Sequence, residues 1–372
     1  MKIGYDAKRA FHNTTGLGNY SRDLIRIMAG YYSDNQYILF NPKLSTKPLM
    51  ELKDNMKMIM PRGIMDKKFP FLWRSKGIMK DLKKEQLDIY HGLSGELPLG
   101  IEKSDIKSVV TIHDLIFLRY PHLYKMIDRK IYTRKFKKAC EVSDKIIAIS
   151  RQTKNDIIDF FGIDENKIEV IYQGCNQAFK TLYLDEQIEK IKKKYNLPGE
   201  FILNVGTIEE RKNALTIVKA VKGTNIPLVL VGRKTPYARQ IEDFIEKNKM
   251  QSQVIFLEGL SLRELAVLYQ AAKIFIYPSI FEGFGIPIIE ALFSRTSVIT
   301  NSKGVFPEAA GPYSTYLKNV KDEKEMRQKI LEVWNKDMKE SIEKSFLYAQ
   351  KFSDMEIAKN MHNLYRKLYE KN

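Results

Sequence analysis

The segment YPSIFEGFGIPIIEA, residues 277–291, passes from a strand pattern to a helix pattern through a glycine-containing loop. The apolar run Ile274–Tyr277 predicts a buried strand, and the residues from Gly285 onward predict a helix. Glu282 lies in the loop and Glu290 lies within the helix. One carboxylate thus precedes the Gly-x-Gly turn and one follows it. A loop with a purely structural role does not need this arrangement, so the segment predicts a ligand site.

Outward from this segment, short apolar strands alternate with longer amphipathic helices along the chain. This alternation predicts parallel sheets with helices on both faces. In such sheets, ligands bind beyond the carboxyl ends of the strands. The predicted strands are, in chain order, Lys2–Asp6, Tyr37–Phe40, Ser108–Ile112, Lys145–Ile149, Ile168–Ile171, Phe201–Val205, Leu228–Val231, Val254–Leu257, Ile274–Tyr277 and Ser297–Thr300.

The 372 residues are too many for one ordinary core and suit two domains of roughly 150–200 residues each. The two series of strands predict two doubly wound domains, residues 1–178 and residues 179–352, which join within a polar stretch. Residues 353–372 predict a further helix, because Ser353 and Glu356 form a capping box and apolar residues follow at helical spacing.

The composition bounds the partners and the location of the protein. The formal net charge of +17, from 62 basic and 45 acidic residues, favours anionic partners such as nucleic acid, acidic lipid or phosphorylated substrates. Charge alone does not choose among them, and solubility explains it equally well. Because no nucleic-acid-binding module is recognisable, no nucleic-acid partner is expected. Two cysteines, and a first strand beside Met1 instead of a signal peptide, predict a cytoplasmic protein. No run approaches about 18 consecutive apolar residues, so any membrane contact would be peripheral.

Two loops of the first domain are candidates for ligand binding. Gly16 and Gly18 open a helix, where glycine lets the backbone approach a phosphate and the helix N-terminus offers unpaired N–H groups. A plain strand-to-helix turn explains these glycines equally well. His113 directly follows a predicted strand and could hydrogen-bond a sugar hydroxyl or a phosphate. A structural or capping histidine is the alternative.

In the second domain, Arg211 and Lys212 precede a predicted helix, where positive charge opposes the helix dipole. Their placement favours a bound anion, and a solvated run of charges is the alternative. The chain has no Asp-x-Asp motif, and its five histidines lack metal-ligand spacing. We therefore expect no metal, and these two cations with the helix that begins near Gly285 would neutralise the anion.

The sequence resembles the retaining glycosyltransferases of family GT4, which have the GT-B fold and include many bacterial mannosyl- and glucosyltransferases. The motif that carries the resemblance is Glu-x7-Glu, here Glu282 to Glu290. The resemblance implies an α/β fold of two Rossmann-like doubly wound parallel-sheet domains facing a central cleft. The first domain would face the acceptor, the second would bind the nucleotide sugar, and residues 353–372 would cross back to the first. Supporting matches are Gly16–Gly18, Thr111–Asp114, Ser143–Asp144, Ile147–Ser150, Val205–Thr207 and Arg211–Asn213.

The resemblance also implies a role for particular residues. Arg211 and Lys212 would hold the donor diphosphate, and Glu290 would bind the ribose. Thr207 stands where many members of the family have arginine. The residues implied in catalysis are His113, Glu282, Arg211 and Lys212. The residues implied in donor binding are Gly16, Gly18, Thr207, Arg211, Lys212, Gly283, Phe284, Gly285 and Glu290.

The reaction that the resemblance implies is retaining, metal-independent transfer of a hexose from a nucleotide-sugar donor to a glycan or lipid-linked acceptor. The stretch Thr111–Pro121 is most similar to mannosyltransferase members, so mannose and GDP-mannose are favoured. The donor is a substrate, and no separate cofactor is expected. A nucleotide-sugar 2-epimerase of the same fold and a catalytically inactive partner subunit in glycan assembly are the alternatives.

Basic residues stand beside aromatic and aliphatic ones in two stretches of the first domain, residues 62–76 and 125–138. This pattern suits docking on anionic lipid. The protein would then lie at the inner face of the membrane, beside a lipid-linked acceptor. The alternative is that residues 69–73 are simply packed core.

Overall fold

In the computed structural model, which describes residues 1–45 and 49–370, the chain forms two compact units. The N-terminal unit comprises Met1–Gly174 together with Ser353–Asn372, and the C-terminal unit comprises Cys175–Phe352. The sequence-based division placed the boundary after residue 178. Each unit has its own parallel sheet and its own hydrophobic core.

The N-terminal unit is built on a seven-stranded parallel sheet. Its strands are β1 (Lys2–Asp6), β2 (Gln36–Phe40), β3 (Met56–Ile59), β4 (Ile89–Gly92), β5 (Lys107–Ile112), β6 (Lys145–Ala148) and β7 (Ile168–Val170). They pair in the order β3-β2-β1-β4-β5-β6-β7. Its helices are α1 (Lys8–His12), α2 (Gly16–Tyr31), α3 (Ile64–Lys68), α4 (Pro70–Leu72), α5 (Ile78–Lys84), α6 (Ile116–Arg119), α7 (Met126–Val142), α8 (Arg151–Phe161) and α17 (Asp354–Tyr369).

The C-terminal unit is built on a six-stranded parallel sheet. Its strands are β8 (Ile202–Val205), β9 (Leu228–Val231), β10 (Val254–Leu257), β11 (Ile274–Tyr277), β12 (Ser297–Asn301) and β13 (Thr315–Leu317), in the order β10-β9-β8-β11-β12-β13. Its helices are α9 (Asp185–Lys194), α10 (Ala214–Val221), α11 (Ala238–Lys247), α12 (Leu262–Ala271), α13 (Ile286–Phe293), α14 (Phe306–Ala310), α15 (Glu323–Trp334) and α16 (Lys339–Ala349).

Both sheets have the strand order of a Rossmann fold, in which the chain first winds outward in one direction and then in the other. The order reverses between β1 and β4 in one unit and between β8 and β11 in the other. Doubly wound sheets bind ligands in the crevice at this reversal, outside the carboxyl ends of the strands. In each unit, the loops that follow the two strands at the reversal are therefore the expected ligand-binding loops.

Every strand predicted from the sequence is present, and the structure adds β3, β4 and β13. The sequence does not mark β4 as a strand, because it carries His91 and Gly92 although all four of its residues are buried. The β3 strand has a short mixed pattern that includes Lys57, and β13 has only three residues. These strands form because they pair with strands that are already in the sheet. The local sequence pattern does not show such pairing.

The helix α17 packs into the core of the N-terminal unit together with α2 and β1. Ser353 caps it, because its Oγ accepts a hydrogen bond from the Glu356 N–H. Asp354 adds an ion pair with Arg26 at 2.9 Å. Residues 371 and 372, the end of the segment predicted as helix, lie outside the described residues. The buried apolar residues of α17 at the predicted spacing are Ile357, Met361, Leu364 and Leu368.

A buried polar network joins α17 to the sheet. His91 contacts the Tyr365 hydroxyl through Nδ1 at 2.6 Å and the Thr111 hydroxyl through Nε2 at 2.7 Å. The Tyr20 hydroxyl lies 3.1 Å from the same Thr111 oxygen. Burial lowers the pKa of His91 to about 3, so its ring is neutral at physiological pH.

The two basic stretches are only partly buried. Trp73 is in the core, as the packed-core alternative expects, but Phe71 remains 67% exposed. On α7, only Ala139 and Cys140 are buried among its residues, and Ile127 is 72% exposed. Across the described ranges 1–45 and 49–370, no helix is both long and apolar enough to cross a membrane.

Candidate active site

Two loops lie together at the reversal of strand order in the C-terminal sheet. Residues 206–213 follow β8, and residues 278–285 follow β11. The Ile280 N–H donates to the Arg211 carbonyl at 2.9 Å, which ties one loop to the other. This is the crevice in which a doubly wound sheet would hold a ligand.

The turns that follow β8 and β9 come too close for any side chain larger than that of glycine at Gly232. A Cβ on Gly232 would lie 1.9 Å from the carbonyl oxygen of Gly206. Both residues have positive φ angles, +145° for Gly206 and +153° for Gly232. Backbone therefore forms this end of the crevice. Gly232 is not marked by its local sequence, because its partner belongs to another loop.

Arg211 and Lys212 lie in the 3-10 turn Glu210–Lys212. Asn213 ends the turn with a left-handed φ of 61°, which asparagine adopts more readily than most residues. Its side-chain amide donates to the Val320 carbonyl, which fixes the turn before α10 begins. The two cations are thus held by backbone geometry and not by a flexible loop.

The carboxylate of Glu282 lies at the centre of the site. Its Oε1 accepts hydrogen bonds from Lys212 Nζ at 2.5 Å and from Arg211 Nη1 at 2.8 Å. The hydroxyls of Ser279 and Tyr277 donate to the same oxygen at 2.7 and 3.0 Å. The side chains of Glu282 and Lys212 are only 15% and 13% exposed. Four donors on one oxygen place both cations side by side in a nearly dry site.

Burial acts against the charged form of both Lys212 and Glu282. Burial alone would raise the pKa of Glu282, but Lys212 and Arg211 outweigh it and hold that pKa below its ordinary value. Burial also lowers the pKa of Lys212, and Glu282 offsets this only in part. Arg211 has a second partner, Glu209, at 2.7 Å. The two carboxylates therefore hold the cations in place, and both cations lie where an anionic ligand could take over part of their hydrogen bonding.

The Gly283–Gly285 loop connects this cluster to α13. Gly285 has a φ of +104° and Phe284 is buried, with its ring centroid 5.4 Å from that of Phe352. Within α13, Glu290 Oε2 accepts a hydrogen bond from the Tyr269 hydroxyl at 2.9 Å. The loop is therefore anchored through Phe284, and Glu290 is oriented by a buried tyrosine.

His113 lies in the N-terminal unit, directly after β5. Its Nε2 is 2.9 Å from the Leu93 carbonyl, and its ring meets the Tyr20 ring edge-on with centroids 4.6 Å apart. Burial lowers the pKa of His113 to about 4, so the ring is neutral. Because a carbonyl only accepts, Nε2 must carry the hydrogen and Nδ1 is left as an acceptor.

Gly16 and Gly18 begin α2 in the same unit, but they differ in what surrounds them. A Cβ on Gly18 would lie 1.8 Å from the Asn13 carbonyl oxygen, so packing alone requires glycine there. At Gly16, no described atom lies within 4 Å of such a Cβ. Packing therefore accounts for Gly18, and the open space at Gly16 is compatible with an approaching ligand.

The C-terminal unit brings together three of the predicted residues, Arg211, Lys212 and Glu282. The predictions missed Tyr277 and Ser279 as their partners. Both lie in the segment 277–291. Their polar groups at the end of a strand could have indicated that they belong to the site. Thr207 is half-buried beside Gly206. In the described part of the chain, no group of three or more His, Cys, Asp or Glu side chains is arranged to hold a metal ion.

Two protein-family models match the chain, one for each half. Residues 15–179 match the model described as Glycosyltransferase Family 4, and residues 186–346 match the model described as Glycosyl transferases group 1. With the two Rossmann-type sheets, these matches define the class as a glycosyltransferase with the GT-B fold. The chain belongs to glycosyltransferase family 4.

The curated relatives include bacterial mannosyltransferases. The O-antigen chain mannosyltransferase RfbU of Salmonella typhimurium is 32% identical over 224 residues, which are 59% of this chain and 59% of RfbU. The serotype-specific mannosyltransferase WbdA of Escherichia coli is 30% identical over 240 residues, which are 60% of this chain and 29% of WbdA. The chain thus matches less than two thirds of the length of either relative.

Among solved structures, the sucrose-phosphate synthase of Thermosynechococcus elongatus is similar over 100% of both chains. The TM-score is 0.80 and the sequence identity is 21%. At this identity the similarity establishes the fold alone.

Proposed function

We propose that this protein is a retaining glycosyltransferase that moves a hexose from a nucleotide-sugar donor to a glycan or lipid-linked acceptor. The observation that carries the proposal is the convergence of Lys212 and Arg211 on Glu282, at the crevice of the C-terminal sheet. The names of RfbU and WbdA, both mannosyltransferases, support mannose as the sugar and GDP-mannose as the donor.

The two cations would stabilise the departing diphosphate. Negative charge grows on the phosphate as the glycosidic bond breaks, and preorganised positive groups in a dehydrated site stabilise that charge most effectively. Lys212 and Arg211 are already fixed at 2.5 and 2.8 Å from Glu282, so a phosphate could replace this carboxylate as their partner with little rearrangement. The N-terminus of α13 would add partial positive charge. This arrangement needs no metal ion.

The remaining predicted residues would recognise the rest of the donor. Glu290, oriented by Tyr269, would bind the ribose hydroxyls. Glu282 would contact the sugar through its second oxygen, because Oε1 already accepts four hydrogen bonds. Residues proposed to contribute backbone or small contacts to the donor are Gly16, Gly18, Thr207, Gly283, Phe284 and Gly285.

His113 would act as a neutral hydrogen-bond acceptor beside the donor sugar. Its Nε2 hydrogen is directed to the Leu93 carbonyl, so Nδ1 is the atom that could receive a sugar hydroxyl. Because burial lowers its pKa to about 4, a proton-donating imidazolium is not populated at neutral pH. We therefore propose that His113 positions the sugar and does not protonate the leaving group.

The first experiment is a thermal-shift screen against GDP, UDP and ADP, followed by transfer assays with the matching nucleotide sugars. We expect GDP to give the largest stabilisation and GDP-mannose to support transfer with retention, read from the anomeric NMR signal of the product. A nucleotide-sugar 2-epimerase would change the donor without an acceptor. An inactive partner subunit would consume no donor, and either of these results would contradict the proposal.

We further propose that the N-terminal unit docks on anionic lipid at the cytoplasmic face of a membrane, where a lipid-linked acceptor would be reached. The support is the exposure of Phe71 and of Met126 and Ile127 on α7, next to many basic side chains. Exposed apolar groups with flanking lysine and arginine suit the surface of an anionic bilayer.

A further inference from the structure

The N-terminal unit contains a cavity of about 960 Å³ between α7 and the loop that follows β4. This volume is near the upper end of the range for small-molecule sites, roughly 300–1,000 Å³. We call it the α7 cavity. Its apolar lining includes Leu97, Pro98 and Leu99 from the loop, and Ile131, Ala139 and Val142 from α7.

The cations around the α7 cavity fall into two groups. Arg74 is neutralised within the cavity, since it pairs with Asp6 at 2.5 Å and also with Glu96. Lys130, Arg134 and Lys138 are spaced four residues apart, so they share one face of the helix. Within the described ranges, these three are without an ion-pair partner. The cavity therefore has apolar side chains in its lining and an excess of cations over carboxylates around it.

A further cation, Arg129, is also positioned in the lining. Its Nε is buried and has no hydrogen-bond partner among the residues that the structure describes. A buried donor without a partner is costly, and a bound anion is one group that would satisfy it. Arg129 is thus an independent indication that an anionic group enters this cavity.

The loop that lines the α7 cavity also supports the candidate active site. Its Leu93 carbonyl contacts His113 at 2.9 Å, and its Gly95 N–H donates to the Thr111 carbonyl at 2.9 Å. Gly95 has a φ of +75°, and a Cβ there would lie 2.7 Å from the Phe136 ring on α7. The loop is therefore clamped between β5 and α7, with His113 at its beginning and the cavity at its end.

We propose that the α7 cavity binds the phosphate and the first part of the hydrocarbon chain of a lipid-linked acceptor. This inference rests on the proposed function and adds the chemistry of the acceptor to it. The apolar lining suits a hydrocarbon chain, and the surrounding cations, Arg129 among them, suit the phosphate that joins such a chain to a glycan. A free sugar would leave the lining exposed to water, and a lipid headgroup alone would leave the interior unfilled.

The test uses farnesyl phosphate as a soluble probe, with farnesol and inorganic phosphate as the comparison ligands. Binding to the full chain is measured by titration calorimetry without vesicles or detergent, so that docking on a lipid surface cannot contribute. We expect farnesyl phosphate to bind about tenfold more tightly, or better, than either comparison ligand. Equal binding of farnesyl phosphate and farnesol, or binding that requires vesicles, would overturn the proposal.

Variants locate the probe. Leu99→Glu places a charge in the apolar lining, and Arg129→Gln removes the cation whose Nε is buried. Each should weaken the binding of farnesyl phosphate about tenfold. Leu123→Glu is the matched control, because Leu123 is outside the lining and is 49% exposed. Affinity that is unchanged in both lining variants would contradict the proposed site.

GDP binding, measured on the same proteins, separates this inference from the function on which it rests. We expect every variant to bind GDP as the parent does, because none of the residues proposed to contact the donor lines the α7 cavity. If the parent chain does not bind GDP, only the donor assignment is contradicted. Loss of the preference for farnesyl phosphate, with GDP binding intact, would contradict the acceptor site only.

Discussion

Substitution of Lys212 tests whether this side chain contributes to turnover. Its side chain is 13% exposed and lies 2.5 Å from Glu282. Removing one preorganised donor from such a site typically lowers kcat by roughly 10²–10³-fold. We expect Lys212→Ala to lose activity to this extent while its Tm stays close to that of the parent, because Arg211 still pairs with Glu282.

The matched control for Lys212 is Lys193→Ala on α9, an exposed lysine that should tolerate the change. Lys194 is less suitable, because it pairs with Glu264 at 2.5 Å. Transfer rates and melting temperatures of the two variants are compared directly. Equal, small effects would show that Lys212 holds Glu282 in place but does not act on the donor.

The two carboxylates of the Glu-x7-Glu motif should affect different kinetic constants. Glu290→Ala should raise KM for the donor about tenfold with kcat little changed, because the ribose changes little in the transition state. Glu282→Ala should mainly lower kcat, because it releases both cations and the contact with the distorting sugar. Steady-state kinetics over a range of donor concentrations distinguish these outcomes, and the reverse pattern would show that the roles are exchanged.

The sequence predicted those site residues that a local pattern marks. Glu282 was recognisable from the glycines beside it, and Arg211 and Lys212 from their position before a helix. Ser279 was missed although its partner Glu282 is only three residues away in the same segment. Gly232 was not recognisable, because the backbone that it approaches belongs to a different turn of the fold. Contacts between distant segments leave no periodic signal in the chain.

At the scale of a single element, α7 can be tested as a lipid-binding helix. The parent should co-sediment with vesicles that contain an anionic lipid at low salt, but not with neutral vesicles. Lys125→Glu should weaken this binding about fivefold or more, since each basic residue near the surface contributes about 1 kcal/mol. Lys190→Glu on α9 of the other unit is the control. Identical sedimentation with neutral and anionic vesicles would contradict docking.

The helix α17 should make stability depend on pH through His91. Its pKa is lowered by burial to about 3, against about 6.5 when unfolded, so only the unfolded chain takes up a proton between these values. Stability is therefore complete above about pH 6.5 and is lost as the pH falls. Between pH 7 and 5.5 this one group should cost about 1.3 kcal/mol, and His91→Gln should remove that dependence.

Urea unfolding checks this expectation for the unit that contains His91. The chain has two tryptophans, so a Trp334→Phe background leaves the fluorescence of Trp73, which is buried in the same unit as His91. His122→Gln serves as the control because His122 is exposed. A pH dependence that His91→Gln leaves unchanged would show that other groups are responsible.

The strands and helices that were predicted correctly are the ones with the clearest apolar pattern. Strands such as Leu228–Val231 are recognisable as uninterrupted apolar runs, and the apolar spacing of α17 indicated its buried face. The β4 strand was missed because a buried His91 is tolerable only with the hydroxyls of Tyr365 and Thr111 as partners, and those lie far away in the chain.

For the whole molecule, the absence of a metal requirement is a testable property of the proposed chemistry. If Arg211 and Lys212 neutralise the leaving diphosphate, transfer should be unchanged in EDTA, because no divalent ion is needed to do so. The measurement is the initial transfer rate with and without chelator, followed by addition of Mg²⁺ or Mn²⁺. Activity that disappears in EDTA and returns with either ion would contradict the role of the two side chains.

The order in which the chain is made has a consequence for how the protein matures. The ribosome releases Met1–Gly174 first, but the helix that completes this unit, α17, is translated only after the whole of Cys175–Phe352. At typical rates of synthesis, this delay is on the order of ten to forty seconds. Throughout it, the nascent unit exposes the apolar surface that α17 later covers. The first half to emerge is therefore the last to be finished, and it is the half that would need protection by a chaperone.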